Sequence, residues 1–81
     1  MNLFNNIKTF LYDKTYFITF YEEAVHIYGY EEIIKFNEDI LVFKFKTFKL
    51  ILKGNDFLVK KLLDKEILVY GLINNMSVIY E

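Results

Sequence analysis

His26 is the one side chain in this 81-residue sequence whose ordinary titration falls near neutral pH, and it sits between Val25 and Ile27 in an alternating apolar run. So placed, it reads as a sheet-face histidine rather than a general base, because no Ser, Cys or Asp stands at a spacing that would build a triad around it. Ser77, the only serine, has no flanking glycine to make a nucleophile elbow. The acidic pairs Glu22-Glu23, Glu31-Glu32 and Glu38-Asp39 are of the type used in glycoside hydrolysis or in binding a hard cation. Adjacent acids on a strand or tight turn point apart, however, and no connection is long enough to wall a cleft between them. Gly54-Asn55-Asp56 lacks the further glycines and the lysine-serine of a phosphate loop. With no cysteine and one imidazole, neither a thiolate nucleophile nor a zinc site can be assembled. The residues therefore predict no catalytic set, no metal ligand and no cofactor.

Charge narrows the partners. Ten basic and eleven acidic side chains leave a net charge of −1, and all ten basic residues are lysine, so there is neither a positive field nor a guanidinium fork to read bases. Tyr, Phe and Lys interleave through 28–49, but Phe43, Phe45 and Phe48 fall on one phase and the lysines on the other, which is a core and its solvated face rather than a stacking platform for nucleic acid. The opening MNLFNNIKTFLYDK lacks a basic n-region, an unbroken apolar stretch and a small-residue cleavage site, and no apolar run is long enough to span a bilayer. A cytoplasmic protein is expected.

Such a chain must fold around one core. At 54% hydrophobic and 20% aromatic it cannot stay disordered, and with no Pro, three Gly and no polar linker it reads as a single domain over 1–81. Asn2 can cap a short amphipathic helix over 2–12, with Leu3, Phe4, Ile7, Phe10 and Leu11 on one stripe. From 16 onward, runs of β-branched and aromatic residues separated by polar pairs predict strands at 16–21, 24–29, 33–36, 40–46, 48–53, 66–72 and 76–80, with turns at the acidic pairs and at Asn55-Asp56 and Asn74-Asn75. The fold class is mainly β: an antiparallel meander curled into a sandwich- or barrel-like sheet, with the N-terminal helix lying on it.

The 40–53 segment has the clearest geometry. A two-residue turn at Lys46-Thr47 would set Phe45 against Phe48, Phe43 against Leu50 and Leu41 against Leu52 on the core side, leaving Lys44 against Lys49 and Val42 against Ile51 outside; because like charges then face each other and Lys-Thr suits such a turn poorly, a three- or four-residue loop is the alternative. Gly29, Gly54 and Gly71 each follow an alternating run, as required for a bulge, a bend or a close backbone approach. Segment 57–65 is ambiguous, Leu58 and Leu62 suiting a helical turn and Phe57 and Val59 a strand, and the irregular or helical reading is favoured. In 66–80 both phases are apolar, Ile67, Val69, Ile73, Met76, Val78 and Tyr80 against Leu68, Tyr70, Leu72 and Ile79, which predicts a strand covered on both sides. The outward apolar residues Val42, Ile51, Leu68, Tyr70, Leu72 and Ile79 form the candidate interaction surface.

Three segments, VHIYGYEEIIKF, FKLILKGNDFLVKKLL and EILVYGLINNMSVIY, taken in this order and spacing, resemble the YabP/YqfC family of small sporulation proteins. The resemblance covers Val25 to Tyr80. It implies a non-catalytic role in endospore formation, in the mother cell, through a protein partner of the kind of a membrane-associated sporulation protein. It transfers no binding residue. A small ligand-binding or homo-oligomeric β scaffold unrelated to sporulation is the alternative; the doubly apolar 66–80 strand suits pairing between copies.

Overall fold

The computed structural model describes residues 16–81, so the helix expected over 2–12 lies outside the described residues. The described residues form six strands: β1 (Phe17–Tyr21), β2 (Ala24–Tyr28), β3 (Glu32–Phe36), β4 (Ile40–Lys44), β5 (Phe48–Leu63) and β6 (Glu66–Tyr80). All pair antiparallel in one sheet of order β1-β2-β6-β5-β4-β3. The expected meander holds within β1-β2 and from β3 to β6, but β2 pairs with β6 and not with β3. The sheet is not closed, which corrects the barrel reading.

The β4-β5 register has Phe43 opposite Leu50, Leu41 opposite Leu52, Val42 opposite Ile51 and Lys44 opposite Lys49. Its turn is Lys46-Thr47, with Phe45 N–H donating to the Phe48 carbonyl at 2.8 Å, and neither turn residue needs a positive φ. The facing lysines are each drawn to a carboxylate from outside the hairpin, Lys44 to Glu31 at 3.4 Å and Lys49 to Glu81 at 3.7 Å. Two like charges abreast are thereby tolerated.

The second half of the chain departs from expectation. Segment 57–65 is neither irregular nor helical: β5 runs on to Leu63, and a two-residue turn at Asp64-Lys65 leads into β6. Nor do Asn55-Asp56 and Asn74-Asn75 make turns; they lie within β5 and β6, where the pairing register shifts. Strands 66–72 and 76–80 are one strand. An extra residue in a strand bends it and increases its twist without reversing the chain.

Those shifts divide the long hairpin into two halves. The first half of β5 pairs with β4 and the first half of β6 pairs with β2, so each short hairpin flanks the front of one long strand. The turns of the short hairpins dock at the bend: Gly54 N–H donates to the Asp39 carbonyl and Gly71 N–H to the Glu23 carbonyl, both at 3.0 Å. The backbones come close enough there to exclude a side chain. A Cβ on Gly54 would overlap the Leu72 carbonyl oxygen, and Gly71, at φ 142, sits under the Phe57 ring. Gly29, at φ 90, ends β2 and turns the chain toward β3.

Because the sheet curls at this bend, one face wraps a single core: Val25, Ile27, Ile67 and Val69 meet Leu41, Phe43, Phe45, Phe48, Leu50, Leu52, Tyr30 and Phe57. A flat single-layer sheet could not bring Ile27, Leu41, Phe43, Leu50 and Leu52 to 0% exposure. Each such side chain contributes about 1.5–3 kcal/mol relative to remaining in water. Phe45 and Phe48 stack at 4.6 Å, and Tyr16 meets both edge-on, tying the start of β1 to the β4-β5 turn.

Candidate interaction surface

Alternation along β2, β4, β5 and β6 turns one residue in two away from the core, and the outer face so made carries all six apolar residues of the candidate surface. The fold does not gather them into one patch. Val42 lies opposite Ile51, which lies opposite Ser77, with Ile79 two residues further along β6; these form one cluster. Leu68 and Tyr70 lie on the other side of the bend, and Leu72 lies at the bend itself, opposite Asn55. Val42, Ile51 and Leu68 are half-buried, whereas Tyr70, Leu72 and Ile79 are exposed at 45, 50 and 49%. The cover expected for the doubly apolar strand, from the helix over 2–12, a second layer or another subunit, is not tested by the described residues, in which both faces of its far half are exposed. Its core-side residues Met76, Val78 and Tyr80 are also exposed, because β2 leaves β6 after Tyr70.

Around Leu68 and Tyr70 the outer face sinks into an open groove of about 780 Å³, lined also by Tyr21, Glu22, Glu23, His26, Lys61 and Glu66. His26 comes from the middle of β2 and Glu66 from the start of β6. Their Nε2 and Oε1 atoms are 2.6 Å apart, and both side chains are about one-third exposed. Lys60 Nζ stands 5.7 Å from the Tyr70 ring centre, within cation–π range. The sequence reading placed His26 on a sheet face but missed its partner, since forty residues separate the two and only the β2-β6 pairing joins them. Chemically the groove offers an apolar and aromatic floor with a rim of both charges. Among the described residues no group of three His, Asp or Glu side chains is placed to hold a metal ion.

On the opposite face Tyr30 is buried at 5% exposure against Phe43. Burial raises the phenol above its ordinary value of 10.0, and the negative charges of Asp64 and Glu66 push the same way.

The YabP family model matches residues 18–80, most of the chain and all but the first residue of β1. The chain belongs to the YabP family. Two of the three segments on which the resemblance rested, FKLILKGNDFLVKKLL and EILVYGLINNMSVIY, are β5 and β6 from end to end. What looked like a motif in this YabP-family chain is thus the long bent hairpin and its two bend glycines. No curated protein and no solved structure matches the chain. No helix among the described residues is long and apolar enough to cross a membrane.

Proposed function

We propose that this chain is a non-catalytic sporulation-associated module of the YabP type, acting in endospore formation by docking a protein partner on the outer face of its sheet. The observation that carries the reading is the set of exposed apolar side chains on that face, Tyr70, Leu72 and Ile79, flanked by Val42, Ile51 and Leu68. A small domain that needs its apolar residues for its core leaves grouped apolar side chains such as these exposed where something else covers them. The partner is a membrane-associated sporulation protein, and the chain works from the cytoplasm of the mother cell, held to the membrane through that partner.

The test is replacement of the native gene by a Tyr70→Glu/Leu72→Glu variant in the sporulating host. Heat-resistant spore counts should fall at least about tenfold with the protein still present at parental level by immunoblot. Parental counts with the variant, or with the gene deleted and no second copy in the genome, overturn the reading.

The groove holding His26 and Glu66 favours a second reading, a small-ligand-binding β scaffold. It predicts that His26→Ala abolishes function without altering the fold, whereas docking through Tyr70 and Leu72 leaves His26→Ala near parental activity.

A further inference from the structure

From Leu72 to Tyr80, β6 pairs with β5 along one edge only. β2 runs along the other edge as far as Ala24 opposite Tyr70, and its turn makes the last bond, from Gly71 N–H to the Glu23 carbonyl. Beyond that point no strand among the described residues pairs with β6. The stretch LINNMSVIY contains no charged residue, no proline and no glycine. Exposed edges are normally blunted by such residues because their free backbone groups template further pairing. Other edges of this sheet are blunted: β3 carries Glu32 and Lys35, and the far half of β5 carries Lys60 and Lys61. β1 is uncharged but only five residues long.

We propose that the Leu72–Tyr80 edge of β6 pairs antiparallel with the same edge of a second copy, about a twofold axis at Ser77. Antiparallel pairing about this axis sets Met76 opposite Val78 of the second copy and Asn75 opposite its Ile79, so side chains of one face meet their own kind. The charge pattern selects this occupant: a neutral edge meets its own copy without like-charge repulsion, and the chain's net charge of −1 opposes association little. The core-side residues are complementary to the same end. Met76, Val78 and Tyr80 share a face with Leu52, Leu50 and Phe48 yet are 49, 39 and 79% exposed. Joining two edges lays them beside their equivalents and continues the apolar face across the dimer. A helix packed there would shield side chains but leave the edge N–H and C=O groups unpaired, since a helix satisfies its own backbone. The proposal stands apart from the sporulation reading and is tested without spores.

The experiment is sedimentation velocity of the full chain from low micromolar to submillimolar concentration. A reversible monomer–dimer equilibrium is expected. Ser77→Lys/Ile79→Lys and Ser77→Glu/Ile79→Glu change only outward residues of the edge. Each alone should weaken dimerisation at least about tenfold, and an equimolar mixture of the two should restore it, which a simple folding defect would not do. Asn75→Lys and Asn75→Glu form a second pair with the same expectation should either double variant lose its β-sheet circular dichroism. A parent that stays monomeric throughout overturns the proposal, as does a dimer indifferent to these charges.

Discussion

The ring of Phe57 lies over Gly71, its Cδ1 atom 2.7 Å from where a Cβ would stand, so an aromatic side chain fills the space that a substituent on β6 would need. Across the same bend Gly54 has the Leu72 carbonyl in the equivalent place. The two long strands can turn sharply together because neither carries a side chain at the crossing.

Gly54→Ala should therefore destabilise the fold more than Gly71→Ala. At Gly54 the obstacle is backbone, which cannot move without breaking the β5-β6 pairing, whereas at Gly71 a ring can shift, although the φ of 142 adds strain. Overpacking of this kind costs about 1–3 kcal/mol or more. Urea denaturation of the two variants, compared at the midpoint, checks the order.

Phe43→Ala should cost about 3–5 kcal/mol, since the ring is fully buried between Leu50, Tyr30 and the rest of the core. At about 0.05–0.15 kcal/mol per residue the whole domain has about 4–12 kcal/mol to lose, so this loss is a large share of it. Thermal unfolding followed by circular dichroism should show a midpoint far below the parent's.

Stability should decline above about pH 10 through Tyr30. Its folded pKa is raised above 10.0 by burial first and by Asp64 and Glu66 second, so below that value both folded and unfolded chains keep the proton. Above it the unfolded chain ionises first, and the fold loses stability as pH climbs toward the folded pKa. Urea titrations at successive alkaline pH values should show this loss, and Tyr30→Phe should lessen it.

Removing the imidazole by His26→Ala should lower stability by no more than about 1 kcal/mol, because the contact with Glu66 is a third exposed at both ends and water competes for it. A thermal midpoint within about 8 °C of the parent is the corresponding result. A much larger drop would mean that this contact, rather than Val25 and Ile27 beneath it, holds β2 on β6.

Much of the core was readable before any coordinates. The hairpin 40–53 alternates without interruption, so its register and its inward Leu41, Phe43, Leu50 and Leu52 followed from period two alone. The two phases of 66–80 were separated correctly as well, because a single register shift near Asn74 offsets the alternation once. Segment 57–65 defeated the same method for a physical reason. On β5 the core-side positions run Leu50, Leu52, Gly54, Phe57, Val59 and Leu62, stretched twice by shifts in register, and the last two are exposed. Leu58 and Leu62, one helical turn apart in sequence, fall on opposite faces of the strand, and only pairing with β6 shows this. The candidate surface fared in the same way: which residues point outward was legible, but the bend splits them into two groups and the His26–Glu66 contact depends on strands far apart in sequence.

By itself the amino-acid order determined that this chain is a mainly β domain with phenylalanines inward and lysines outward, and its three long segments pointed to the YabP family. Alternation and composition are local properties, and they settle which face of a strand seeks water. Only the tertiary structure decided that two strands run unbroken through the bend, that β2 joins β6 rather than β3, and that the uncharged far half of β6 has one edge unpaired among the described residues. Those outcomes depend on which backbone groups find partners across long stretches of chain, and that pairing is fixed by the curled sheet as a whole.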